Sequence, residues 1–332
     1  MAEATPQRTP KRVVSGMRPT GRLHLGHFHG AVKNWIAISQ KAECFFFSAD
    51  WHALTTDYKD PSKIREAQRE MFADWIAAGL DPERCTLFVQ SRVKQHAELN
   101  LLLGMITPIG WLERVPTYKE QQEALREKEL NNFGFLGYPV LQTADVALYG
   151  ADAVPVGQDQ VSHLELAREI VRRFNTHYGN VLVEPNAYLT EVPKILGLDG
   201  RKMSKSYGNA IELGEDPESA RKRVMVAVTD PARKRRTDPG NPDICAIYYL
   251  HRAYSPPATV ELVNRECRTA GIGCVDCKKL LLESLVPALD QHRAARAKLK
   301  PARIEELVQL GTAKAQKVAE ETMQSVRAAM QL

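Results

Sequence analysis

Apolar residues fall in short, dense blocks through the first part of the chain and at helical spacing through the rest. Arg12 to Ser15, Cys44 to Ser48, Thr86 to Val89 and Ala153 to Val156 read as buried strands, each a compact run of Val, Phe, Leu or Ala. Between them, the spacing predicts helices over His24 to Gln40, over Pro61 to Ala78 and over Gln160 to Phe174. Pro61 fits a first helical turn, and Gly79 ends that helix. Strands alternating with helices specify an α/β fold with a Rossmann-like parallel sheet. After Asn209 the strand signals fade. From Glu215 onward charged-faced helical periodicity takes over, ending in a long helix over Pro301 to Met330. Its Ile304, Leu307, Val308, Leu310, Val318 and Val326 recur at roughly helical spacing. The organisation expected is a polar, disordered lead over 1–11, an α/β domain over 12–206, and an all-helical C-terminal domain over 207–332. Gly208, Asn209 and Gly214 sit at the junction, as a hinge requires.

Composition adds limits. At 332 residues and 44% hydrophobic content the chain can bury a normal core without staples. The net charge of +5 allows a polyanionic partner and equally a solvated basic surface. Leu99 to Gly110 is too short, and too interrupted by Asn100 and Pro108, to cross a membrane. Met1 to Lys11 lacks the apolar core of a secretory signal. A cytoplasmic location is therefore expected, and there six cysteines point to metal binding or burial rather than disulfides.

Two segments carry phosphate chemistry. His24-Leu25-Gly26-His27 follows a strand and the turn Gly16 to Gly21, and it opens a helix. Unpaired N–H groups there favour an anion, and both imidazoles lie on one face of the first turn. Gly26 leaves room for an adenine ring against the backbone. The tetrapeptide fits a class I aminoacyl-tRNA synthetase, a small nucleotidyltransferase or a plain surface turn, and His29 nearby has no assigned role. Lys202-Met203-Ser204-Lys205-Ser206 is sharper. Two ammonium groups and two hydroxyls, flanked by Gly200 and Gly208, form a mobile loop suited to a leaving pyrophosphate.

Together these resemble the two signatures of class I aminoacyl-tRNA synthetases. The intervening string, Gly137-Tyr138-Pro139-Val140-Leu141-Gln142-Thr143-Ala144-Asp145 through Val154 to Leu166, is similar to the tryptophan-specific branch. Asp50-Trp51-His52-Ala53 and Trp111-Leu112-Glu113-Arg114 also resemble it. The resemblance implies catalytic side chains at His24, His27, Lys202 and Lys205. It implies ATP contacts at Arg18, Pro19, Thr20, Gly26, His27, Gly157, Gln158, Asp159, Ile195, Lys202, Met203, Ser204, Lys205 and Ser206. It further implies a tryptophan pocket of Asp145, Tyr138, Gln142, His52 and Gln160, with Asp145 accepting the indole N–H. Gln142, Arg18 and Gln158 stand where relatives commonly carry Met, Gln and Glu. The implied function is ATP- and Mg2+-dependent activation of L-tryptophan and its transfer to tRNA(Trp). The implied assembly is a homodimer joined through about 99–137. The rivals are a tyrosyl-tRNA synthetase and a non-aminoacylating, RNA-binding iron–sulfur paralogue.

Cys44 and Cys85 read as inert core residues. Cys245, Cys267, Cys274 and Cys277 are separated by 21, six and two residues and read as a tetrathiolate metal site for [4Fe–4S] or zinc, or as buried free thiols. His251 lies in the same stretch as a competing ligand. Some tryptophanyl-tRNA synthetases carry a [4Fe–4S] cluster on a similar pattern, with a first spacer one residue longer, and this resemblance favours the cluster. Arg221-Lys222-Arg223 and Arg233-Lys234-Arg235-Arg236 concentrate charge in the helical region, as tRNA phosphate contact needs.

Overall fold

A computed structural model of the chain describes residues 9–115, 131–157, 161–189 and 195–332. Among them no helix is long and apolar enough to cross a membrane. Five parallel strands form one sheet: β1 (Arg12–Met17), β2 (Glu43–Ser48), β3 (Cys85–Val89), β4 (Ala153–Val156) and β5 (Asn186–Leu189), in the order β3-β2-β1-β4-β5. The first four stand where the apolar blocks predict them. β5 has no such block. It is a half-exposed edge strand with polar Asn186 at its start, so burial leaves little mark on its sequence.

Successive residues point to opposite faces. Val13, Phe46 and Leu87 enter one apolar cluster, and Val14, Phe45 and Phe88 enter the other. On the first face lie α1 (Leu25–His27), a π-helical turn (Phe28–Val32), α2 (Lys33–Ile38) and α4 (Ile64–Ala77). Trp35 of α2 stacks on Phe46 with ring centroids 4.6 Å apart, and Trp75 of α4 meets Trp35 edge-on at 5.1 Å. The short α3 (Asp50–Asp57) follows β2. The second face carries α5 (Gln95–Ile106), α8 (Tyr138–Ala147) and α9 (Val161–Tyr178), after the short α6 (Ile109–Glu113) and α7 (Phe133–Leu136).

Beyond the sheet come α10 (Pro217–Val226), α11 (Ala246–Tyr254), α12 (Pro257–Arg268), α13 (Cys274–Ala297) and α14 (Pro301–Met330). Asp216 caps α10 by accepting from the Glu218 and Ser219 N–H groups. The last helix returns to the sheet. Ala315, Ala319, Met323 and Val326 are fully buried in the second-face cluster. Arg327 reaches both carboxylate oxygens of Glu98, at 2.6 and 2.7 Å. Gly311 permits the approach, because a Cβ there would lie 2.0 Å from the Leu87 carbonyl oxygen.

Candidate active site

In a parallel sheet, ligands bind beyond the carboxyl ends of the strands. Arg18 follows β1, Asp50 to His52 follow β2, Gln90 follows β3 and Gly157 follows β4. These ends open on a cavity of about 1320 Å³. His24, Gly26 and His27 line it beside Lys202 and Met203, and His52, Tyr138, Gln142 and Asp145 line it further along the chain.

The first motif is preorganised. His24 is extended at the N-cap of α1, where its Nδ1 accepts from the His27 N–H at 3.3 Å. The His24 proton therefore sits on Nε2, available to a ligand. The two imidazoles stack at 3.6 Å with 22° between planes. Burial, with the Lys205 charge, pushes His24 down to about 4. Burial, His24 and the two lysines push His27 down to about 3. At neutral pH both are uncharged hydrogen-bond donors, so positive charge must come from the second motif.

That motif folds over the first. Met203 is buried, and its Sδ accepts from the Gly26 N–H at 3.3 Å. A Cβ on Gly26 would lie 2.9 Å from the His24 ring and 3.3 Å from Met203 Cβ, so this position takes no side chain without a shift. Lys205 Nζ donates to the Thr20 carbonyl at 2.9 Å and pairs with Glu212 at 3.8 Å. Burial lowers its pKa. The loop is expected to be mobile from its glycines, yet it is pinned: buried Asn209 accepts from the Ser204 N–H at 2.8 Å and donates to the Lys202 carbonyl at 3.1 Å. Arg18 is turned into α3, bonded to Thr56 and to Asp57 at 3.2 Å.

Asp145 on α8 is 3% exposed. Its Oδ2 accepts from His52 Nε2 at 2.8 Å, and its Oδ1 accepts from Gln90 Nε2 at 2.7 Å and His96 Nδ1 at 2.6 Å. Burial alone would raise its pKa, but the two histidines outweigh it and hold the carboxyl at about 2. The group is a firmly ionised acceptor at the cavity wall.

The family described as tRNA synthetases class I (W and Y) matches residues 6–290. The chain belongs to this family. It is 50% identical to the tryptophan–tRNA ligase of Thermotoga maritima, over 97% of this chain and 99% of the relative. To the tryptophan–tRNA ligase of Ralstonia nicotianae it is 45% identical, over 97% and 99%. A crystal structure of tryptophanyl-tRNA synthetase from Campylobacter jejuni, complexed with ADP and tryptophan, superposes with a TM-score of 0.85 at 31% identity, over 97% of this chain and 100% of that one.

Against this class I synthetase scaffold the expected residues divide. Arg18, His24, Gly26, His27, His52, Tyr138, Gln142, Asp145, Gly157, Ile195, Lys202 and Met203 all line the one cavity. Pro19, Thr20, Ser204, Lys205 and Ser206 do not line it. Thr20 holds Lys205, and the Ser204 and Ser206 hydroxyls bond each other at 2.8 Å. Gln158, Asp159 and Gln160 lie outside the described residues, as do residues 1–8 of the lead and 116–130 of the expected interface segment.

Sequence reasoning passed over Gln90, His96, Tyr149 and Asp74. Gln90 had a signal, since it directly follows a parallel strand. His96 opens an apolar helix, a second signal. Asp74 sits fully buried in α4. It accepts from the Leu23 N–H at 2.6 Å and from His292 Nε2 at 3.2 Å, and it pairs with Arg296. It thereby joins the loop before His24 to α13 of the helical region.

Burial pushes the Cys44 and Cys85 thiols up to about 12, as inert core cysteines require. Among the described residues no group of three or more His, Cys, Asp or Glu side chains is arranged to hold a metal ion. The other four thiols are free but neighbours: Cys245 precedes α11, Cys267 lies near the end of α12, and Cys274 and Cys277 open α13. Burial, then the charges of Cys245, Cys267 and Cys274, push Cys277 up to about 12. His251 bonds the Cys277 carbonyl at 3.0 Å. Three of the basic side chains are engaged locally, Lys222 by pairing with Glu218 at 2.7 Å. Arg223 holds the Gly208 carbonyl at 2.9 Å, and Arg233 holds that of Ile272 at 2.7 Å. Lys234, Arg235 and Arg236 are exposed.

Proposed function

We propose that the chain activates L-tryptophan with ATP and transfers it to tRNA(Trp), with ATP along His24–His27 and Lys202–Ser206 and the indole against Asp145. One observation carries the reading: a single cavity joins both phosphate motifs to an ionised, buried carboxylate. The substrate carboxylate attacks the α-phosphorus and pyrophosphate leaves, so the enzyme needs position and charge rather than a nucleophile. Neutral His24 and His27 donate to phosphate oxygens, while Lys202 and Lys205 follow the charge that develops on the leaving group. Mg2+, bound with ATP, neutralises phosphate charge. Arg18, Pro19, Thr20, Gly26, Gly157, Gln158, Asp159 and Ile195 serve the nucleotide, and Tyr138, Gln142, His52 and Gln160 serve the amino acid. An Asp145 carboxylate left without its N–H donor disfavours phenylalanine.

The α/β unit, 12–206, holds this chemistry, and 207–332 takes up the tRNA through Lys234, Arg235 and Arg236. A second copy covers Leu101, Met105, Ile109 and Phe133, apolar side chains 60–86% exposed within about 99–137. The location that suits this work is the cytoplasm. Cys245, Cys267, Cys274 and Cys277 are the ligands of a [4Fe–4S] cluster, with zinc as the second reading. Arg233 and Lys278, which lie beside these thiols, would balance the net negative charge of a tetrathiolate centre. Closing such a centre requires the thiols to lose their protons, and nothing in the ATP site calls on it. Iron, sulfide and zinc analysis of anaerobically purified protein decides between the two, and finding none of them rejects a metal.

ATP–pyrophosphate exchange with tryptophan and with tyrosine tests the function. Exchange with tryptophan alone is expected. Tyrosine-driven exchange makes the chain a tyrosyl enzyme, and no exchange with either leaves an RNA-binding paralogue. Lys205→Ala should slow exchange far more than it weakens tryptophan binding. Unchanged exchange kinetics in that variant reject the assigned role of the loop.

A further inference from the structure

Three fully buried side chains back Asp145: Gln90 and His96 bond its carboxylate, and Tyr149 bonds His96. We infer that the Tyr149 hydroxyl fixes the tautomer of His96 and thereby holds Asp145 as an acceptor for a single indole N–H, making Tyr149 and His96 positioning residues for amino-acid recognition. The inference rests on the reading that Asp145 meets the indole.

Tyr149 is anchored by a ring stack on Phe45 at 4.9 Å and by Phe88 at 5.3 Å. Burial, with the Asp145 charge, raises its phenol well above the usual range, so the hydroxyl keeps its hydrogen. Its hydrogen-bond partner among the described residues is His96 Nε2, at 2.7 Å. The phenol therefore donates, Nε2 accepts, and the imidazole proton stays on Nδ1. Nδ1 stands 2.6 Å from Asp145 Oδ1. In the other tautomer two lone pairs would face each other at that distance, and the buried hydroxyl would lose its acceptor.

Oδ1 also takes the Gln90 amide, so both its lone pairs are filled. Among the described residues Oδ2 takes only His52, which itself lines the cavity. One acceptor position of Oδ2 stays open among the described residues, at the cavity wall, and it fits one N–H donor. Gln90, His52 and the Tyr149–His96 chain thus leave one of the four acceptor positions of the carboxylate open.

The test uses the full-length protein and four variants: Tyr149→Phe, His96→Asn, the double variant and Asp145→Asn. Asparagine can place an amide N–H near the Nδ1 position without any tautomer to set. Tyr149→Phe should raise the KM for tryptophan about fivefold, the scale of one ordinary hydrogen bond, while KM for ATP and kcat stay within about twofold. In the His96→Asn background, adding Tyr149→Phe should change KM for tryptophan no further. An unchanged KM for tryptophan in Tyr149→Phe overturns the proposal, as does an equally large effect of that change in both backgrounds. Parallel rises in both KM values, or loss of folding in both backgrounds by thermal melting, assign the hydroxyl a structural role and overturn it too. Asp145→Asn separates the failures. If it leaves KM for tryptophan unchanged, the pocket reading itself is wrong. If it raises KM while Tyr149→Phe does not, only the tautomer chain fails.

Discussion

Asp74→Asn removes one charge from the tie between the loop before His24 and the helical region. The carboxylate is fully buried and serves three donors: the Leu23 N–H at 2.6 Å, His292 at 3.2 Å and Arg296. An amide keeps one acceptor oxygen, so its NH2 must face either the Leu23 N–H or the His292–Arg296 side. Breaking a buried ion pair by removing one partner costs about 3–5 kcal/mol. Arg296 keeps Glu70 at 2.7 Å, which places the loss at the lower end, about 3 kcal/mol. At about 2.1 cal/mol/K per residue, a chain of 332 residues unfolds with an entropy of about 0.7 kcal/mol/K, so Tm should fall by about 4 °C. Leu23 directly precedes His24, so the KM for ATP should rise while that for tryptophan holds. Calorimetry and pyrophosphate exchange on the same preparation read both. An unchanged Tm, or a KM change confined to tryptophan, would refute the claim that Asp74 braces the nucleotide side.

Two further outcomes follow from buried groups. His29 is 2% exposed, and neither ring nitrogen has a hydrogen-bond partner among the described residues. Burial, then the Lys33 charge, push it down to about 4 from an unfolded value of 6.5. The unfolded chain therefore takes up the proton first, and stability is lost as pH falls from about 6.5 toward 4. His29→Leu should raise Tm at neutral pH and flatten the melting curve's pH dependence across that window. His24 and His27, shifted the same way, keep part of the slope, and an undiminished slope in the variant counts against the assignment. Gly311→Ala should destabilise by about 1–3 kcal/mol through overpacking against Leu87 in urea unfolding, whereas an unchanged midpoint would mean that α14 shifts freely on β3.

Much of this architecture was legible because burial writes itself into composition. β1 to β4 are dense apolar runs, and the elements between them keep helical period. β5 was not legible, since a half-exposed edge strand needs no apolar block. The placement of α14 was not legible either: periodicity locates a helix, but it does not say which surface receives its apolar side. The cavity wall was readable where side chains sit in ordered motifs. Gln90 and His96 bond Asp145 directly and Tyr149 bonds His96, all from separate elements, and only the fold brings them together.

The close contact of Gly311 with Leu87 bears on how the protein is made. β3 stands at one end of the sheet, where open backbone can recruit a foreign strand. The helix that shields it is encoded far downstream, so on the ribosome the strand emerges long before its cover. A nascent chain that has completed every residue lining its cavity is thus still aggregation-prone, and slowing translation between α13 and α14 should increase its demand for chaperones.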